Sequence, residues 1–311
     1  VTSLLELCEY LEEYAGLPIE FWWPGEQPPV ADPGAVAWRL QASRYDEMLH
    51  DDIADAIEEF VEQVDTTRVT AIVLGDWEHA GGDPATVAVD LLVAHAARFP
   101  ALRSIFSGAN TGEVMCPQSD ITPLLAAFPR LERLDVRSGG GLRLDPVRHE
   151  SLRALRIEST GLDARVVRAV AASEFPALEH LELWLGTDPR GGEATVADLE
   201  PILTGARLPE LYHLGLQNSE LQDEIAAAVA AAPVVARLGS LSLSLGALTD
   251  RGAEALLTGQ PLTHLRELEL SHNFLSLELV RRLTDALPGV EVDMSDRWPL
   301  VEDERYVAVG R

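Results

Sequence analysis

A three-leucine motif that no single copy can bury constrains this chain more than any other feature. Leu-x-x-Leu-x-Leu, with other aliphatics in some slots, starts at Val69, Leu102, Leu131, Leu152, Leu178, Leu211, Leu238, Leu265 and Leu287, 21 to 33 residues apart. One copy, Leu265, Leu268 and Leu270, continues to Asn273 and Leu275, completing Leu-x-x-Leu-x-Leu-x-x-Asn-x-Leu. Alternate leucines share one face of an extended strand. Only neighbouring copies can cover that face, so the repeats must stack into a solenoid. The copy at Leu102 is the weakest: Ser107 fills its last apolar slot, which predicts a local irregularity between the first two of these strands.

Between the nine predicted strands, apolar residues recur with helical spacing. Examples are 85–99, 121–128, 164–172, 196–203, 224–232, 251–257 and 277–287. A helix after each strand predicts an α/β fold: a horseshoe solenoid with parallel strands on the concave face and helices on the convex face. Asp120 before Ile121, and Thr195 three residues before Asp198, are helix-start signals. Phe99-Pro100, Phe128-Pro129, Phe175-Pro176, Leu208-Pro209 and Leu287-Pro288 end helices and set up the next strand. The ends must differ from the middle, because an open stack exposes apolar surface. We therefore divide the chain into an N-terminal cap (1–64), a solenoid of about nine repeats (65–294) and an acidic C-terminal tail with a capping strand (295–311). The N-terminal cap is expected to hold helices over 4–14 and 53–64 and strands over 19–23 and 36–40, and the tail a strand over 306–309.

The 311 residues include 24 Lys and Arg against 51 Asp and Glu, a net charge of −27. That field repels nucleic-acid phosphates and anionic membranes and favours a basic protein partner; the same charge also serves solubility alone. Two cysteines, Cys8 and Cys116, outside any Cys-x-x-Cys spacing, support neither a disulfide framework nor a zinc knuckle, and fit a reducing cytoplasm. No basic n-region opens the chain, and its longest apolar stretch, 225–236, is too short to span a bilayer.

Several blocks, some of them outside the leucine scaffold, resemble a family of bacterial cytoplasmic leucine-rich-repeat proteins with no established activity. They are Val36-Ala-Trp-Arg-Leu40, Arg68-Val-Thr-Ala-Ile-Val-Leu-Gly-Asp-Trp77, Gln118-Ser-Asp-Ile-Thr-Pro-Leu-Leu125, Pro146-Val-Arg-His-Glu150 and Arg305-Tyr-Val-Ala-Val-Gly310. The resemblance spans nearly the whole chain and implies ribonuclease-inhibitor-like repeats. It implies no catalytic residue, and no cofactor is expected.

Function must then be read from residues between the buried leucines, which face the concave surface. From the third to the sixth predicted strand these are Arg133, Asp135 and Arg137; Arg156 and Glu158; His180, Glu182 and Trp184; and His213 and Gln217. Lateral stacking at about 4.8 Å gathers Arg156, Glu158, Trp184 and Gln217. An exposed Trp beside Arg has the composition of a protein-binding hot spot; the same residues also fit a solvated ladder of opposite charges with Trp184 packed under the glycine-rich run 186–192. Ser240, Ser242 and Ser244 make the seventh strand bland. Asp76 and Trp77, on a loop with His79, form a secondary candidate edge. Catalytic signals are weak. Ser138-Gly139-Gly140-Gly141 lacks the Lys of a phosphate loop, His50-Asp51-Asp52 suits a helix start, and His149-Glu150 is not a His-Glu-x-x-His site. His180, Glu182 and His213 are neighbours by stacking, which chance also produces, so no metal is expected. The reading is a non-enzymatic interaction module; the alternatives are an accessory subunit of an enzyme encoded nearby and a metal-dependent hydrolase on the loops.

Overall fold

The computed structural model describes residues 11–22, 31–41, 53–75, 83–108, 116–300 and 304–310. Twelve strands form one sheet whose spatial order is their chain order. The first three are β1 (Glu13–Tyr14), β2 (Leu17–Phe21) and β3 (Ala37–Gln41). Each of the nine motif copies then supplies one more: β4 (Ala71–Gly75), β5 (Ser104–Ser107), β6 (Arg133–Ser138), β7 (Ala154–Ser159), β8 (His180–Gly186), β9 (His213–Ser219), β10 (Ser240–Ser242), β11 (Glu267–Glu269) and β12 (Glu291–Asp293). Every neighbouring pair is parallel except the β1–β2 hairpin. Parallel neighbours need a crossover between them, which is what the helical segments provide.

The register explains why the motif repeats. Trp38, Ile72, Ile105, Leu134, Leu155, Leu181, Leu214, Leu241 and Leu268 pair in one unbroken row across β3 to β11, and every one is fully buried. They share a single apolar cluster with Phe60, Leu92, Leu124, Val167, Ile202, Ile225, Leu256 and Leu283, one from each of eight helices. Those helices are α1 (Ile53–Gln63), α2 (Pro84–Ala94), α3 (Thr122–Ala127), α4 (Ala164–Ala172), α5 (Val196–Thr204), α6 (Gln222–Val229), α7 (Asp250–Thr258) and α8 (Leu277–Ala286). One face of the sheet therefore carries the helices; the residues between the row positions point to the other, open face. Asn273 earns its place in the motif by bonding: its side-chain nitrogen donates to Leu270 O (2.8 Å) and its oxygen accepts from Leu275 N (3.1 Å), satisfying backbone that the turn leaves buried. Both helix-start signals hold, since Asp120 accepts from Thr122 N (2.9 Å) and Asp198 from Thr195 N (2.9 Å).

Four expectations are corrected. No helix lies between β6 and β7, where the repeat is shortest; Leu142 and Leu144 are buried from extended backbone instead, bridged at Gly140 to Pro117 and at Arg143 to Asp120. The helix predicted over 4–14 ends, in its described part, as strand β1, because Ala15 and Gly16, both at positive φ, turn the chain into the hairpin. The irregularity predicted at Ser107 does not appear: β4 and β5 pair in register, and Ser107 Oγ donates to Gln118 Oε1 (2.9 Å), which satisfies the polar slot. Residues 306–309 form no strand. They run back across the strand ends, with Ala308 N donating to Leu245 O (2.8 Å). The sheet continues across the boundary at residue 64, since β2 pairs with β3 and β3 with β4, both in parallel. No helix among the described residues is long and apolar enough to cross a membrane.

Candidate functional site on the open face

Side chains on the open face fall into rows, because parallel register repeats each position from strand to strand. The middle and far rows carry charge. Arg133 grips Asp135 with two bonds (2.6 and 3.2 Å), and Asp135 also accepts from Tyr14 Oη (2.9 Å), delivered by the N-terminal hairpin. Arg137 Nε donates to Glu158 Oε2 (2.5 Å); Arg156 reaches Glu158 (2.8 Å) and Glu182 (3.1 Å), with its guanidinium 5.7 Å from the Trp184 ring. Trp184 Nε1 donates to Glu182 Oε1 (2.9 Å), and His180 Nε2 lies 3.3 Å from Glu182 Oε2. The imidazoles of His180 and His213 stack at 4.1 Å, 6° from parallel. Gln217, the register partner of Trp184, donates to Ser242 Oγ (2.8 Å).

The predicted cluster is thus brought together, but not as an exposed hot spot. Trp184 is 0% exposed. Its covering is Leu245 with Ala308 and Val309 of the C-terminal segment rather than the glycine-rich run. Asn218, held at φ 53°, fixes that segment: its Nδ2 donates to Val309 O (2.9 Å) and its Oδ1 accepts from Val309 N (3.0 Å). Arg305 adds an ion pair to buried Asp223 (3.0 Å), and Tyr306 packs edge-on to Phe274. The charges are not a solvated ladder either, since Asp135, Arg137, Glu158 and Glu182 are all buried. Accessible functional groups collect where the strands begin, with side chains of Arg133 and His180 exposed by 41% and 39%.

Two shifts follow from this burial. Desolvation alone would raise the Glu182 carboxyl, but Arg156, His180 and Trp184 outweigh it and bring it down to about 2, so it is ionised at neutral pH. For His213, burial foremost and the His180 neighbour next hold the pKa down to about 4, which leaves the ring neutral. The His213 hydrogen bonds then identify its tautomer. Ser240 Oγ lies 3.3 Å from Glu267 Oε2, an obligate acceptor, and 2.8 Å from His213 Nδ1. With its one proton given to Glu267, Ser240 accepts from Nδ1–H, and the lone pair is left on Nε2. That Nε2 is buried and has no hydrogen-bond partner.

Sequence reasoning missed Tyr212 and Arg266. Tyr212, 43% exposed, precedes β9 at the position that Arg153 and Glu179 hold in earlier repeats. Its ring occupies the space left by Gly239, where a Cβ would stand 2.1 Å from ring carbons, and Arg266 lies 5.9 Å from its centroid. The signal was available: an aromatic at an edge otherwise charged, followed one repeat later by glycine. Asp76 and Trp77, like His50-Asp51-Asp52, lie outside the described residues. His149 is a structural group, buried between Phe128 O (3.0 Å) and Leu152 N (3.1 Å), and Cys116 is a buried thiol.

No protein-family model and no curated protein matches the chain. Among solved structures it is similar to a protein from Bacteroides fragilis, determined by the Northeast Structural Genomics Consortium, with 26% identity and a TM-score of 0.73 over 78% of this chain and 70% of that one. With twelve sequentially ordered strands and alternating helices, the chain is a repeat-type α/β protein of solenoid-like arrangement.

Proposed function

We propose that this chain is a leucine-rich-repeat horseshoe of the ribonuclease-inhibitor-like kind, and that it works as a non-enzymatic protein-recognition module in a reducing compartment. The observation carrying this reading is the accessible strip along the strand-start edge of the open face, formed by Arg133 and His180 at the first positions of β6 and β8 and by exposed Tyr212 and Arg266 just before β9 and β11. Exposed Tyr supplies contact area at low ordering cost, and Arg supplies directed donors. The buried pairs beneath give that strip a rigid floor. In this reading Arg156, Glu158, Glu182, Trp184 and Arg137 support the binding surface, and partner contact falls along the edge where the strands begin.

The test is to identify a partner by crosslinking in cells and then measure its affinity for the purified chain. The variant Tyr212→Ala/Arg266→Ala removes two surface side chains with little effect on folding. We expect at least a tenfold loss of affinity. Undiminished binding by the folded double variant, and by Arg133→Ala, would place recognition elsewhere.

A further inference from the structure

We propose that His180, Glu182 and His213 form a binding site for one divalent transition-metal ion of the zinc class. Their ligand atoms lie within 4.8 Å of one another. Two imidazole nitrogens and one carboxylate oxygen are a donor set that suits Zn²⁺ and leaves a fourth tetrahedral position for water or an outside ligand.

Three further observations separate this cluster from a chance meeting of side chains. First, the His213 Nε2 lone pair is buried and unpartnered, an arrangement that costs free energy unless something fills it. Second, each ligand is oriented from behind. Glu267 and Ser240 hold His213 by Nδ1, the carboxylate–histidine relay that fixes a metal-binding tautomer, here through one hydroxyl. Trp184 Nε1 and Arg156 Nε both bond Glu182 Oε1, which turns Oε2 toward His180. Third, the row leaves space between the ligands. Gly215 sits between Glu182 and Ser242 in register, and a Cβ there would stand 2.8 Å from Glu182 Cγ and 3.4 Å from His213 Nε2. A side chain at that position would fill the cradle.

Binding requires the stacked imidazoles to open. An ion held about 2.0–2.1 Å from each nitrogen lies in both ring planes, so the stacked rings must tilt toward each other. His180 is exposed enough to do this. The ion would take the place of the 3.3 Å contact between His180 Nε2 and Glu182 Oε2. Arg156 opposes a second positive charge nearby, whereas Glu267 and Glu269 on β11 favour it.

The experiment uses the full chain, stripped by chelator and titrated with Zn²⁺ by calorimetry, with Co²⁺ absorption reporting the ligand set. We expect one equivalent bound by wild type. His180→Ala should weaken it at least 100-fold, and Ser240→Ala, which touches no metal, by about 10–100-fold through loss of orientation. Gly215→Val should block the site while circular dichroism stays native. Binding of less than one equivalent by wild type overturns the site, as does binding that His180→Ala leaves intact, because the ion would then lie on other side chains. The partner affinity of the metal-free chain is a separate readout, so the site and the recognition surface can fail independently.

Discussion

Removing Glu158 alone should destabilise this protein far more than removing Glu158 and Arg137 together. The Arg137 guanidinium and the Glu158 carboxylate are 6% and 3% exposed, joined at 2.5 Å, and Glu158 also receives Arg156 at 2.8 Å. Glu158→Leu removes the carboxylate that Arg137 Nε holds and one of the two that Arg156 holds. Breaking a buried pair from one side costs about 3–5 kcal/mol, because the surviving charge stays desolvated. Arg137→Met should cost less, about 1.5–3 kcal/mol, the range for one charged hydrogen bond, since Glu158 keeps Arg156. In the double variant Arg156 still holds Glu182 at 3.1 Å and two apolar side chains meet, so most of the loss should be recovered. Urea unfolding of the four proteins closes the cycle. With a denaturant slope of about 3 kcal/mol/M, Glu158→Leu moves the midpoint down by about 1–1.5 M and the double variant by much less. Additive losses, or a Glu158→Leu cost below about 1 kcal/mol as for surface pairs, would refute a desolvated ladder.

Trp184→Ala should cost about 3–5 kcal/mol, the range for emptying a large aromatic site, and should speed hydrogen exchange at the Ala308 and Val309 amides that lie over it. Asn218→Gly keeps the positive φ but loses both bonds to Val309, so carboxypeptidase should trim the C-terminus faster while the unfolding midpoint moves little. In the metal-free protein, His213 titrates near 4 when folded against about 6.5 when unfolded, facing His180, Glu182 and Arg156. The unfolded chain then binds the proton first, so stability is unaffected above pH 6.5 and falls as pH drops from 6.5 through 4, by on the order of 3 kcal/mol. His213→Gln should flatten the unfolding free energy across that window, and an unchanged slope would show that other groups carry it.

How much of this was legible follows from the distance over which each signal acts. All nine motif strands were readable because Leu134, Leu155, Leu181, Leu214, Leu241 and Leu268 obey a local period, and the register then aligns them. Helices α4 and α5 were readable because their caps and apolar stripes lie within the segment. The rows of the open face were legible too, as was the company Trp184 keeps. Its burial was not. Val309 covers it from 91 residues beyond Asn218, and Tyr14 reaches Asp135 across 121 residues, contacts that no periodicity encodes. The C-terminal segment misled for the same reason: Tyr-Val-Ala-Val has the composition of a strand, and only the site where it docks decides otherwise.

Charge separates two parts of the proposed recognition. The chain carries 51 acidic and 24 basic residues, so its far field draws a basic partner. The open face does not follow that balance, because Arg133, Arg137 and Arg156 neutralise Asp135, Glu158 and Glu182 pair by pair. Once those pairs are set aside, Tyr212 and Arg266 offer a partner an aromatic face and donors, beside the exposed part of the Arg133 side chain. Under the proposed function, attraction and recognition therefore use different residues. Added salt should slow association by screening the acidic surplus, with a Debye length of about 8 Å at physiological strength. Tyr212→Ala/Arg266→Ala should instead speed dissociation. A double variant that lost affinity only through its association rate would mean that these residues steer the partner rather than hold it.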